Sequence, residues 1–115
     1  MSINEKLPNA DASFIDASKL TDYLLSSSHP DGKSKAKFFT AFGFSVDAAN
    51  QMNDALLQHG RTRPVIQETE SKHGVKYVVE CGIETPDERN PCIRTVWIVD
   101  AGQRSPRLVT AYPAQ

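Results

Sequence analysis

The sequence predicts an α+β domain: two to three helices first, then a four-stranded antiparallel β-meander, with the helices packed on one sheet face. Up to Gly60, apolar residues recur at three- and four-residue steps, the spacing of one helix face. After Pro64 they recur at two-residue steps, the spacing of one strand face. The order matters as well, because consecutive strands joined by short turns pair with their neighbours antiparallel, without helical crossovers.

Residues 1–13 are polar, contain Pro8 and Asn9, and read as a mobile leader, so that the single domain spans 14–115. In "SFIDASKLTDYLLSSS" either Asp16 or Ser18 is placed to cap a short first helix, with Leu20, Tyr23 and Leu24 on its apolar side. Pro30 and Gly32 precede a second helix in "KSKAKFFTAFG", stopped at Gly43. Ser45 then introduces a third in "VDAANQMNDALLQHG", with Val46, Ala49, Met52, Leu56 and Leu57 in one stripe and Gly60 as its stop. The strands are "PVIQETES", "GVKYVVEC", "CIRTVWIVD" and "RLVTAYP", separated by residues that favour turns.

A chain of 115 residues builds one core, so functional groups must share elements with it. Thirteen basic and fourteen acidic side chains leave a net charge of -1, so there is no long-range attraction to nucleic acid or to an anionic membrane. A phosphate ligand would have to be met locally. That balance weighs against an RNA-binding domain without chemistry. The start of the chain lacks a signal-peptide pattern, and no 18-residue apolar run occurs, which points to a cytoplasmic protein with no membrane partner. Cys81 and Cys92 lack the spacing of a zinc site, so no metal or cofactor is implied. They are expected to be reduced, buried thiols that could face each other across strands.

Of the lysines in "HPDGKSKAKFF", Lys33 and Lys37 share the polar helix face with Thr40. Lys35 instead falls in line with Phe38, Phe39 and Phe42. A charge on that stripe must snorkel, pair with a carboxylate or serve a ligand. His29, before proline in a loop, has a side chain capable of acid/base work or of nothing more than solvation. His59 is explained by the helix C-terminal dipole, and His73 lies in an exposed turn. Arg94 stands mid-strand among apolar residues; a salt bridge to Glu80 across the strands and recognition of a phosphate both suit it. Leu108, Thr110 and Tyr112 alternate onto one face of the last strand, where the two hydroxyls could meet a phosphate or simply favour the strand.

The stretches "HPDGKSKAKFFTAFGFS", "GVKYVVE" and "RTVWIVDAGQRSPRLVTAYP" resemble an uncharacterised bacterial domain family over about residues 16 to 113. More distantly, the order of helices and meander resembles the barnase, EndoU, colicin and RelE superfamily of metal-independent ribonucleases, found in toxin systems. That resemblance implies a site drawn from the helical part, a central strand and the last strand: His29, Lys35, Arg94, Thr110 and Tyr112. RNA cleavage through the 2′-hydroxyl requires proton transfer and cations at the developing phosphorane. His29 would move the proton, Lys35 and Arg94 would hold the charge, and Thr110 or Tyr112 would position the phosphate. The alternative is a non-catalytic protein-interaction or immunity-type module, so the expected partners are RNA or another phosphate ligand, or a protein.

Overall fold

β-Branched and aromatic residues build the last three of the four strands, whereas the first is exposed beyond Val65. β1 (Val65–Ser71), β2 (Gly74–Gly82), β3 (Cys92–Asp100) and β4 (Arg107–Pro113) form one antiparallel sheet in sequence order. The computed structural model describes residues 6–26 and 33–114. Register places Val79, Thr95 and Ala111 in one cross-strand row and Tyr77, Trp97 and Leu108 in the next. Val79, Ile93, Trp97, Leu108 and Ala111 from this face join Leu20, Leu24, Phe39, Met52 and Leu56 from the helices in one core.

α1 (Ala17–Lys19) continues as a π turn over Leu20–Leu24, burying Leu20 and Leu24. Asp16 occupies the N-cap position but makes no side-chain capping bond. α2 (Lys33–Ala41) ends as expected at Gly43, whose φ of 103° an L side chain rarely adopts. A 3₁₀ turn at Val46–Ala48 leads into α3 (Ala49–Thr62). Val46 therefore drops out of the expected stripe and is 51% exposed.

Gly60 does not stop α3. The helix runs on to Thr62 and ends where Arg63 turns extended ahead of Pro64, as the residue before a proline tends to do. Gly60 is required by packing instead. A Cβ there would stand 2.4 Å from Cζ2 of Trp97, so the missing side chain lets the helix lie directly on the indole ring.

The last strand also departs from simple alternation. The register with β3 shifts between Val96 and Trp97, making Val109 the extra residue of a β-bulge. Leu108 and Ala111 both face the core at 0% exposure, whereas Thr110 and Tyr112 are half-buried and pair with Val96 and Arg94. Leu108 is thus separated from the two hydroxyl residues with which it was expected to share a face.

Residues 6–13, within the expected leader, lie against this body. Leu7 is 3% exposed, and the Arg61 guanidinium donates to the Ala10 and Ser13 carbonyls and to the Ser13 hydroxyl. Phe14 bridges to Arg107 in parallel fashion and covers part of the outer edge of β4. Among the described residues, β1 is the open edge of the sheet.

Candidate phosphate-binding cleft

Tyr23 organises the ground between the first helix and β4. The π turn presents its ring beside the sheet edge, where Tyr23 Oη lies 3.1 Å from Thr110 Oγ1. The Nζ atoms of Lys19 and Lys35 stand 5.1 and 5.6 Å from the ring centroid, within cation–π range. Lys35 comes from the start of α2, where it is half-buried while Lys33, Lys37 and Thr40 are exposed, the division expected from the helix wheel. An open cleft of about 530 Å³ lies here, lined by Ser18, Lys19, Asp22, Tyr23, Val109 and Thr110. The Lys19 ammonium, the hydroxyls of Ser18, Tyr23 and Thr110 and the Asp22 carboxylate, with Lys35 against the same ring, can bind a phosphate and neighbouring hydroxyls.

Arg94 stands in a different row. Its Nε donates to Glu80 Oε2 at 2.8 Å, and Glu80, Arg94 and Tyr112 lie side by side across β2, β3 and β4. Hydrogen bonding to Glu80 first, and to Tyr112 as well, raises the guanidinium pKa above its ordinary value. The Arg94–Tyr112 pair is two residues along the strands from the Val96–Thr110 pair, about 7 Å at the usual strand rise.

A family model matches residues 6–115. The chain belongs to DUF6883, a domain of unknown function. No curated protein matches it. Its fold is similar to that of a solved chain from a contact-dependent growth inhibition toxin–immunity protein complex of Klebsiella pneumoniae 342. The TM-score is 0.73 at 18% identity, over 92% of this chain and 97% of that one.

Set against the expected site of this DUF6883 domain, Lys35 and Thr110 come together through Tyr23, and Arg94 and Tyr112 come together through their shared row. His29 lies outside the described residues. Lys19 and Asp22 were missed by sequence reasoning, and Tyr23 was assigned only to the apolar side of its helix. Lys19 and Tyr23, spaced i and i+4, were the available signal.

His59 is not the dipole-capping surface residue expected from its place near the helix end. It is 2% exposed, with Nδ1 3.0 Å from Thr95 Oγ1 and Nε2 2.8 Å from the Cys81 carbonyl. Trp97 Nε1 donates to the same Thr95 hydroxyl at 2.8 Å. That hydroxyl can then give its own proton to Nδ1, leaving Nε2–H to donate to Cys81. Burial pushes the imidazole pKa down to about 4, so the ring is neutral at pH 7 and committed to the core. His73, in contrast, is exposed as expected. Neither cysteine is buried: Cys81 is exposed and Cys92 half-buried, and both are free thiols. Among the described residues no cluster of three or more His, Cys, Asp or Glu could hold a metal ion, and no helix is long and apolar enough to cross a membrane.

Proposed function

We propose that this DUF6883 domain is a metal-independent, ribonuclease-like module of the toxin type, which holds an RNA phosphodiester at the cleft beside Tyr23. The observation that carries the reading is that Tyr23 lines an open cleft together with Lys19 and Thr110, its hydroxyl 3.1 Å from Thr110 Oγ1, while Lys35 Nζ stands 5.6 Å from the centroid of the same ring. Lys19 and Lys35, each against the Tyr23 ring, supply positive charge where the phosphorane forms, and Thr110 with Tyr23 supplies hydroxyls that fix the phosphate. Arg94 and Tyr112, one row further along the sheet, receive an adjacent phosphate of the strand. His29 precedes Lys35 by six residues and is assigned the proton transfer from the 2′-hydroxyl or to the leaving oxygen. The likeness to a chain from a toxin–immunity complex supports the toxin context through the fold.

A second reading rests on a separate observation. Glu80 already pairs with the Arg94 guanidinium, and Ile66 is 45% exposed on the open edge strand β1, which suits an interaction or immunity-type module.

The deciding experiment incubates the protein with total RNA in the presence of a metal chelator. Cleavage by wild type that falls by about 100-fold in Lys35→Ala, as for removal of one preorganised transition-state donor, supports the ribonuclease reading. Thr110→Val and Arg94→Ala are expected to lower it as well. RNA left intact by wild type, or cut equally by the folded variants, overturns that reading and favours the interaction module.

A further inference from the structure

We propose that Cys81 and Cys92 are a redox-active dithiol that closes reversibly to a disulfide at the base of the β2–β3 loop, by exchange with a small disulfide such as oxidised glutathione. The inference is independent of the ribonuclease reading.

The two residues sit where β2 ends and β3 begins, in a diagonal arrangement: Cys81 pairs with Ile93, and Gly82 pairs with Cys92. The Cys92 thiol donates to Cys81 Sγ at 3.1 Å. A disulfide needs about 2.05 Å between the sulfurs, so closure asks for about 1 Å of approach by two side chains already directed at each other. Cys81 is exposed and reachable by a tripeptide disulfide, whereas Cys92 is half-buried behind it.

This asymmetry sets the order of events. The Cys81 thiolate attacks one sulfur of oxidised glutathione, forming a mixed disulfide and expelling one glutathione thiolate. Cys92 then loses its proton to solvent and attacks Cys81 Sγ, expelling the second glutathione. Two protein thiols are oxidised, one glutathione disulfide is reduced to two thiols, and no other reactant is needed. Its exposure makes Cys81 the first sulfur that oxidised glutathione meets. Burial, and then the bond to Cys81, push the Cys92 thiol up to about 11 and make it a poor first attacker.

The bond would close a segment that is itself tied to a helix. Between the cysteines, Thr85 Oγ1 donates to Asp87 Oδ1 at 2.8 Å, and the Thr85 N–H donates to Asn90 Oδ1 at 2.9 Å. At the loop tip, Arg89 Nη2 donates to the Ala41 carbonyl at 2.7 Å, and its guanidinium lies 4.3 Å from the Phe42 ring centroid. Oxidation would fix the base of a loop whose tip clasps the end of α2, the helix that carries Lys35.

The test equilibrates the protein with graded ratios of reduced to oxidised glutathione, traps free thiols with a maleimide and reads intact mass. Wild type is expected to pass from two trapped thiols to none, with a mass two hydrogens below that of the reduced chain. Cys92→Ser is expected to accumulate a stable mixed disulfide at Cys81. Cys81→Ser is expected to react more slowly than Cys92→Ser, because its remaining thiol, Cys92, is the half-buried one. Amide exchange over residues 83–91 should slow on oxidation. Wild type ending with glutathione on both cysteines, or oxidation that abolishes the near-ultraviolet signal of Trp97, overturns the proposal.

Discussion

Lowering the pH should weaken the fold through His59, by an amount the structure sets. The folded pKa is about 4 against an ordinary 6.5, with burial as the main cause. Between those values the unfolded chain takes up a proton that the folded chain refuses. The contribution of His59 is therefore fully present above pH 6.5 and is lost as pH falls towards 4. By proton linkage the whole window is worth about 3 kcal/mol, and a move from about pH 7 to about pH 4.5 costs about 2 kcal/mol. The single tryptophan, Trp97, is fully buried and reports unfolding in urea. Wild type should lose that amount over this interval beyond whatever is lost by His59→Gln, in which the titrating ring is gone while the carboxylates remain. Asp87 and Asp100 also have lowered pKa values, through hydrogen bonds to Arg89 and Arg107, but both variants share those losses. If His59→Gln is too unstable to compare, the imidazole C–H shift of wild type gives the folded pKa directly. Parallel pH profiles for the two proteins, or a ring that titrates near 6.5, would refute the argument.

Two further outcomes follow from packing. Gly60→Ala would gain about 1 kcal/mol if the glycine were an ordinary exposed helix residue, but here the new methyl meets the Trp97 ring. A loss of about 2 kcal/mol or more in urea unfolding is expected, and a gain would show that the helix and ring separate freely. Arg61→Ala removes the donors that hold Ala10 and Ser13. It should speed amide exchange across residues 7–14 while leaving the strand amides unchanged, and unchanged exchange in that segment would show that the clasp has no role in holding it.

The legible part of the site came from local violations of pattern. Lys35 broke an apolar helix stripe and Arg94 interrupted an apolar strand, and both can be seen by counting residues along one element. The Glu80–Arg94 pair was also readable, because two adjacent antiparallel strands joined through one loop leave few registers that bury both apolar faces. Lys19 and Asp22 violate nothing in their own helix. They matter because a neighbouring element brings Thr110 against Tyr23, a contact between residues 87 positions apart.

Sequence alone settles the α+β order, the antiparallel meander, the stop at Gly43 and the wet face of α2. Each follows from side-chain periodicity or backbone sterics within a few residues. Tertiary structure decides the rest. Gly60 looks like a helix stop until Trp97 is found against it, and His59 looks like a surface cap until Thr95 and the Cys81 carbonyl surround it. Thr110 and Leu108 look like one face until the bulge at Val109 parts them. In each case the local pattern permits two conformations of similar energy. The choice is made by close packing and hydrogen-bond satisfaction against a residue far away in the chain.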